Sequence, residues 1–206
     1  MSLLLLKETS SFKLGVWKIE EEAAFFSSPI SYQANAKHPD RSLQQLATRF
    51  LITYLEPNFP IQHISLGEAG KPELISNQFE FNLSHTAQMA AVVLSNEFPV
   101  GIDIEKINPR VLRIKNKFLH ADEIQSVSGL DEQSLISRLT LYWSIKETVY
   151  KWWGKGGVDF VKDIKIEDKK EFDSAVQTVQ FSKVGGGRLD VICLQVEDHW
   201  LTYLVK

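Results

Sequence analysis

The spacing of apolar residues alternates between the period of a strand and that of a helix, and this limits the folds open to the chain. Two-residue alternation or short apolar runs predict strands at 3–6, 13–20, 79–83, 89–95, 100–105, 163–167, 175–181, 189–196 and 200–205. Longer helical periods predict helices at 40–56 and 131–153. Strands mixed with helices, without regular βαβ spacing, predict an α+β fold rather than a doubly wound sheet.

Composition excludes several functional classes. With 206 residues, 44% of them apolar, the chain can form one large domain or two small lobes. A net charge of -3 argues against a nucleic-acid partner. Cys193 is the only cysteine, which excludes an intramolecular disulfide and a Cys-rich zinc site and fits a cytoplasmic protein. No run approaches the roughly 20 apolar residues that cross a membrane.

The segment Gly101-Ile102-Asp103-Ile104-Glu105 predicts a strand with two carboxylates on one face. Adjacent like charges disfavour joint ionisation unless a cation lies between them. Carboxylates without nearby Cys or His suit Mg²⁺, which binds protein carboxylates together with substrate phosphates. The alternative is an ordinary half-buried strand whose polar face meets water.

The predicted helix containing Trp143-Ser-Ile-Lys-Glu-Thr-Val-Tyr-Lys151 places an acid and a lysine on one face. Glu147 and Lys151 are four residues apart, so both side chains project from the same surface. Such a pair suits a metal ion next to a phosphate. By itself, the spacing is more typical of a solvent-exposed ion pair worth a few tenths of a kcal/mol.

Two shorter motifs carry phosphate-binding groups. Gly70-Lys71-Pro72 places a lysine in a turn, and the predicted strand Phe81-Asn82-Leu83 is followed by Ser84-His85-Thr86. A hydroxyl and an imidazole at a strand end can both contact phosphate oxygens. A histidine in this position is also common as a simple turn residue.

In chain order, GKP, FNLSHT, GIDIE and WSIKETVYK resemble the 4'-phosphopantetheinyl transferase superfamily, specifically its larger two-lobed type that activates surfactin synthetase and similar enzymes. The motifs span Gly70 to Lys151, and their order and spacing are more specific than any one motif. The resemblance implies two similar α+β lobes, residues 1–100 and 101–206, related by pseudo-twofold symmetry. It also implies a monomer with its active site between the lobes.

The resemblance further implies transfer of the phosphopantetheine arm of coenzyme A to a serine of an acyl or peptidyl carrier protein, releasing 3',5'-ADP. The family's Mg²⁺-binding acids match Asp103, Glu105 and Glu147. Glu147 is then the candidate general base, with Glu105 or a metal-bound water as the alternative. Positions matching coenzyme A contacts are Lys71, Ser84, His85 and Lys151, of which Lys151 would stabilise the leaving phosphate. Lys146 precedes Glu147 and would face either the substrate or solvent.

The family's basic residues for the 3'-phosphate of coenzyme A are poorly represented. Residues 27–36 contain no Lys or Arg, and Arg41, with Lys37 and His38 nearby, is the matching candidate at the start of the first long helix.

A basic segment follows the paired acids and is a candidate surface for an acidic carrier protein. Its cations are Arg110, Arg113, Lys115 and Lys117, interleaved with apolar residues that include Phe118. The alternative is a solvated amphipathic helix without a partner.

Two other functions remain open from the sequence. The same acids and lysines would suit a Mg²⁺-dependent nucleotide or pyrophosphate hydrolase. A non-catalytic module that binds carrier proteins is the second alternative, and retention of the three acids and Lys151 argues against it.

Overall fold

The computed structural model of the chain describes residues 2–30, 32, 34, 38–67, 70–74, 78–167 and 175–206. Lys37, named above, lies outside these ranges. The strands are β1 (Leu3–Glu8), β2 (Phe12–Lys18), β3 (Ile64–Leu66), β4 (Pro72–Leu74), β5 (Glu80–His85), β6 (Met89–Ser95), β7 (Val100–Lys106), β8 (Ile164–Glu167), β9 (Val176–Phe181), β10 (Gly187–Val196) and β11 (His199–Val205). The α-helices are α1 (Ala23–Ser27), α2 (Pro39–Leu55), α3 (Ala121–Ser126) and α4 (Glu132–Trp153).

Two antiparallel sheets form the centre of the described structure. Sheet I has the strand order β1-β2-β6-β5, and sheet II has the order β7-β11-β10-β9-β8. The strands β3 and β4 form a separate small ribbon. This mixture of sheets and helices confirms the predicted α+β class.

Alternating residues of the central strands face two different cores. On sheet I, Leu14 and Val16 pack toward sheet II, whereas Trp17 packs toward α2. On sheet II, Ile102 and Ile104 face sheet I. The opposite face of sheet II packs on α4. The layers therefore run α2, sheet I, sheet II, α4, and α2 and α4 cover the outer faces.

The chain passes from sheet I to sheet II between Ser95 and Val100, close to the predicted boundary at residue 100. Residues 1–100 and 101–206 as separate lobes, and their pseudo-twofold relationship, stay predictions. Among the described residues, no helix is both long and apolar enough to span a membrane.

The basic segment forms two 3-10 helices, Pro109–Arg113 and Lys115–Lys117, instead of one amphipathic α-helix. Arg110, Arg113 and Lys117 are exposed and Lys115 is half-buried. Phe118 is fully buried and packs against Trp143, with 5.2 Å between ring centroids. This corrects the prediction that Phe118 contacts a carrier protein, because its side chain belongs to the core.

Candidate functional site

Asp103 lies at the centre of the candidate site. The predicted alternation in β7 is present, because Ile102 and Ile104 enter the core between the sheets while Asp103 points to the other side. Only 2% of Asp103 is exposed, so this is not the water-facing strand of the alternative interpretation. One carboxylate oxygen, Oδ2, is buried without a hydrogen-bond partner.

The other oxygen of Asp103 joins the two sheets and α4. Asp103 Oδ1 accepts a hydrogen bond of 2.9 Å from Ser84 Oγ and one of 2.6 Å from Lys151 Nζ. Lys151 Nζ also donates to Ser84 Oγ at 3.0 Å. Asn82 reinforces this junction, since its Nδ2 donates to the backbone carbonyl of Lys151 at 3.1 Å. Motifs far apart in sequence thus meet at one carboxylate.

Glu147 and Glu105 share the electrostatic environment of Asp103. Burial first, and then the charge of Asp103, raise the pKa of Glu147 to about 7. The same two causes raise the pKa of Glu105 to about 7, and Glu147 adds to the shift. Trp143 Nε1 donates to Glu105 Oε1 at 3.1 Å, which partly opposes that shift by stabilising the carboxylate. The site therefore contains carboxyl groups that change charge near neutral pH.

A glycine allows α4 to approach β7 closely. A Cβ atom on Gly101 would lie 2.8 Å from Trp152 Cβ and even closer to the carbonyl oxygen of Thr148. This contact holds the last turns of α4 directly over β7. Glu147 and Lys151 can reach the strand because nothing larger than hydrogen separates the two backbones here.

His85, the last residue of β5, lies in a positively charged region. Its side chain is more than a third exposed, yet the protein surrounds the ring closely enough for desolvation to lower its pKa. The charges of Lys151, Arg41 and Arg49 lower that pKa further. The structure therefore places the predicted residue His85 within electrostatic range of both Lys151 and Arg41.

Lys71 lies at the end of α4. Its side chain packs over Gly154, the left-handed residue that ends the helix, because a Cβ atom on Gly154 would lie 3.1 Å from Lys71 Cδ. Lys71 also lines a cavity of about 260 Å³ together with Pro72, Glu80 and Phe81. Desolvation lowers the pKa of Lys71, and Glu80 and Glu73 oppose that effect.

Lys146 is not at the site, and the prediction that it faces substrate or solvent is corrected. Its side chain is fully buried, with Nζ 2.7 Å from Glu123 Oε2. Nζ also donates to the carbonyl oxygens of Phe118, Phe160 and Ile164 at 2.7–3.0 Å. Lys146 is a structural cation that connects α4 to α3 and β8.

Arg49 is a candidate that the sequence analysis missed. It lies in α2 two turns after Arg41 and is only 8% exposed. Its guanidinium lies 5.4 Å from the ring centre of Tyr32, its Nε has no hydrogen-bond partner, and no described salt bridge includes it. Burial lowers the pKa of Arg49. The eight-residue spacing from Arg41 was the available signal, because it places both on one helical face.

The donor chemistry fits Mg²⁺, although the carboxylates are not arranged as a metal site. Among the described residues, no three His, Cys, Asp or Glu side chains are close enough together to hold a metal ion. Lys151 supplies the positive charge at Asp103 in this arrangement. The unpartnered Oδ2 of Asp103 and the raised pKa values of Glu105 and Glu147 are what an oxygen-ligated cation would relieve.

Comparison with known proteins identifies the family of this chain. The model for the 4'-phosphopantetheinyl transferase superfamily matches residues 99–204, which include β7, α4 and the acids described above. The chain belongs to this superfamily.

Named relatives agree with this membership. The chain is 35% identical over 144 residues to the 4'-phosphopantetheinyl transferase gsp of Aneurinibacillus migulanus, covering 64% of this chain and 59% of the relative. It is 30% identical over 126 residues to AcpT of Escherichia coli (strain K12), covering 60% and 64%, and 32% identical over 93 residues to Sfp of Bacillus subtilis (strain 168), covering 45% and 41%. Each match covers less than two thirds of the relative.

Proposed function

We propose that this protein transfers 4'-phosphopantetheine from coenzyme A to a serine of an acyl or peptidyl carrier protein. The observation that supports this most is the convergence of Ser84, Asp103 and Lys151 beside two carboxyl groups whose pKa values lie near 7. Ser84, Asp103 and Lys151 come from three different motifs of the superfamily. Their meeting point combines anion-binding and proton-accepting groups, which phosphoryl transfer requires.

The carrier serine oxygen would form a bond to the β-phosphorus of coenzyme A, and the bond from that phosphorus to the bridging oxygen of 3',5'-ADP would break. The serine proton would pass to Glu147, whose carboxylate shares the electrostatic environment of Asp103. Glu105 is the alternative base. The positive charge of Lys151 lowers the pKa values of both acids and so acts at the same site. It would stabilise the charge on the departing phosphate.

Asp103, Glu105 and Glu147 are the residues that would hold Mg²⁺. A bound Mg²⁺ would neutralise the diphosphate oxygens of coenzyme A and the charge that develops on them. The unpartnered Oδ2 of Asp103 is the natural first ligand, since a buried anionic oxygen without a partner is costly. The glutamate side chains would have to turn toward it.

Coenzyme A would extend from this centre toward α2. Ser84, His85 and Lys71 would contact its phosphates, while Arg41 and Arg49 would bind the 3'-phosphate. Arg49 supports this assignment because it is a buried cation without a carboxylate partner among the described residues. A phosphate would satisfy it through charge-assisted hydrogen bonds.

The acidic carrier protein would dock on Arg110, Arg113, Lys115 and Lys117. Lys117 lines a cavity of about 590 Å³ together with Ile114, Trp143 and Phe160. Trp143 also donates to Glu105, so this surface adjoins the carboxylates. Arg110→Glu combined with Arg113→Glu should raise KM for the carrier and leave KM for coenzyme A unchanged. Arg188→Glu combined with Lys183→Glu, an equal charge change at two exposed positions on and next to β10, is the matched control.

The decisive experiment is incubation with coenzyme A, Mg²⁺ and an apo carrier protein, followed by intact-mass measurement of the carrier. The expected result is a gain of one phosphopantetheine and release of 3',5'-ADP only when the carrier is present. Release of nucleotide without a carrier would instead favour a hydrolase, and binding without any product would favour a non-catalytic module. We further propose that the protein is a cytoplasmic monomer. Size-exclusion chromatography of the purified protein would test its oligomeric state.

A further inference from the structure

A fully buried imidazole connects the start of β11 to the turn after β5. His199 is 0% exposed, and its Nε2 lies 3.1 Å from Thr86 Oγ1. Thr86 directly follows Ser84 and His85. The contact therefore joins sheet II to the segment of sheet I that carries two of the candidate phosphate ligands.

The hydrogen bonds of Thr86 favour one tautomer of His199. Thr86 Oγ1 accepts from the backbone N–H groups of Gln88 at 3.2 Å and Met89 at 3.1 Å. A hydroxyl accepts two hydrogen bonds and donates one, so the Thr86 proton is directed to His199 Nε2. His199 is then neutral with its proton on Nδ1, which lies 2.8 Å from Asp198 Oδ1 but outside hydrogen-bond geometry.

A second connection runs parallel to the first. Lys106 Nζ donates to Gln88 Oε1 at 2.7 Å and lies 3.2 Å from Asp198 Oδ2. Lys106 is paired with His199 in the β7–β11 ladder, and it directly follows Glu105. Asp198 thus contacts both residues that bind the turn. The turn is attached at two points to the strand ends beside Glu105.

We propose that His199 is a positioning residue that fixes the turn at Thr86–Gln88, and with it Ser84 and His85, relative to the acids of β7. This role rests on the function proposed above. Coenzyme A would need phosphate ligands from sheet I and carboxylates from sheet II, held at one fixed separation. His199 contacts neither substrate nor reacting atoms. It acts through Thr86.

Two amide substitutions distinguish the nitrogen atoms of His199. The longer side chain of His199→Gln places an amide oxygen near the position of Nε2 and retains an acceptor for Thr86. The shorter His199→Asn retains a polar group near Nδ1 and cannot reach Thr86. Leu201→Ala, in the core between the sheets, is a control that lowers stability without touching the turn.

Amide hydrogen exchange at residues 84–89 tests the connection without any ligand. We expect His199→Asn to accelerate exchange there by about tenfold or more relative to His199→Gln and Leu201→Ala, because a lost tertiary contact allows local opening. Equal exchange in all three variants would overturn the proposal. Lys106→Met, an exposed position whose substitution leaves the core intact, removes the parallel connection and should accelerate the same amides even where His199→Asn does not fold.

Kinetics test the consequence for the substrate. We expect His199→Asn to raise KM for coenzyme A by about tenfold while KM for the carrier is unchanged, since small displacements of positioning groups are costly. His199→Gln should restore the wild-type value. Leu201→Ala should lower thermal stability and leave KM for coenzyme A unchanged. The same result in His199→Asn would show that His199 has a purely structural role, against the proposal. Absence of turnover in the wild-type protein would count against the proposed function alone, since the exchange result stands without it.

Discussion

Gly101 of β7 lies against the backbone carbonyl of Thr148 in α4, with no room for a Cβ atom between them. This contact sets the separation between the strand that carries Asp103 and the helix that carries Glu147 and Lys151. The geometry of the candidate site therefore depends on a residue without a side chain.

Gly101→Ala should displace α4 from β7 and reduce transfer activity. Overpacking of this kind costs about 1–3 kcal/mol in stability. The transfer rate should fall even in the fraction of protein that remains folded, because displacement of α4 separates Lys151 from Asp103. Thermal unfolding and transfer rates measured on the same sample test this, and Leu201→Ala, which lowers the stability of the core between the sheets without adding a Cβ atom, is the control. Undiminished turnover in Gly101→Ala would contradict the close-approach argument.

Much of the fold follows from sequence periodicity, whereas the burial of charged residues does not. The segment 100–105 predicted the strand and the face of Asp103, because a period of two is local information. The predicted helix at 131–153 is present as Glu132–Trp153 for the same reason.

Lys146 shows what local patterns leave out. Its partner Glu123 lies in a different helix, so no local sequence pattern indicates the pair. The available signal was its position on the apolar stripe that contains Leu139, Tyr142 and Val149, all buried. A lysine at such a position requires a buried partner. The contact between Ser84 and Asp103 likewise could not be predicted from sequence periodicity, because it depends on how the two sheets meet.

Lys146→Met should destabilise the protein without weakening coenzyme A binding. Removing one partner of a buried ion pair leaves Glu123 uncompensated and costs about 3–5 kcal/mol. The double variant Lys146→Met with Glu123→Gln should recover part of that loss. Chemical denaturation measures the stability, and calorimetric titration below the unfolding temperature measures coenzyme A binding. A marked loss of affinity in folded Lys146→Met would restore the original assignment of Lys146 to the substrate.

Arg49→Met should weaken binding of coenzyme A by about tenfold or more, because it removes a charge-assisted hydrogen bond to the 3'-phosphate. Binding of dephospho-coenzyme A, which lacks that phosphate, should be unchanged. The free protein should be as stable as wild type or more so, because an incompletely satisfied buried cation is removed. Calorimetric titration with both ligands provides the comparison. Equal weakening for both ligands would place Arg49 outside the 3'-phosphate site.

Thermal stability of the metal-free protein should fall as pH rises from about 4.5 toward 7. The pKa values of Glu105 and Glu147 are raised to about 7 in the folded state, against about 4.3 for an unperturbed glutamate. Between these values the unfolded state binds fewer protons than the folded state, so unfolding becomes more favourable with rising pH. Mg²⁺ should therefore raise Tm more at about pH 8 than at about pH 5. A Tm gain that is independent of pH would argue against carboxylate ligation.

The most direct test of the central claim is carrier modification by Asp103→Asn and Glu147→Gln compared with wild type. Both substitutions remove a carboxylate charge from a crowded acidic site while preserving shape, so the fold should be retained. We expect wild type to convert the apo carrier to its phosphopantetheinylated form in the presence of Mg²⁺, and both folded variants to leave it unmodified. Wild-type rates in either variant would contradict the account.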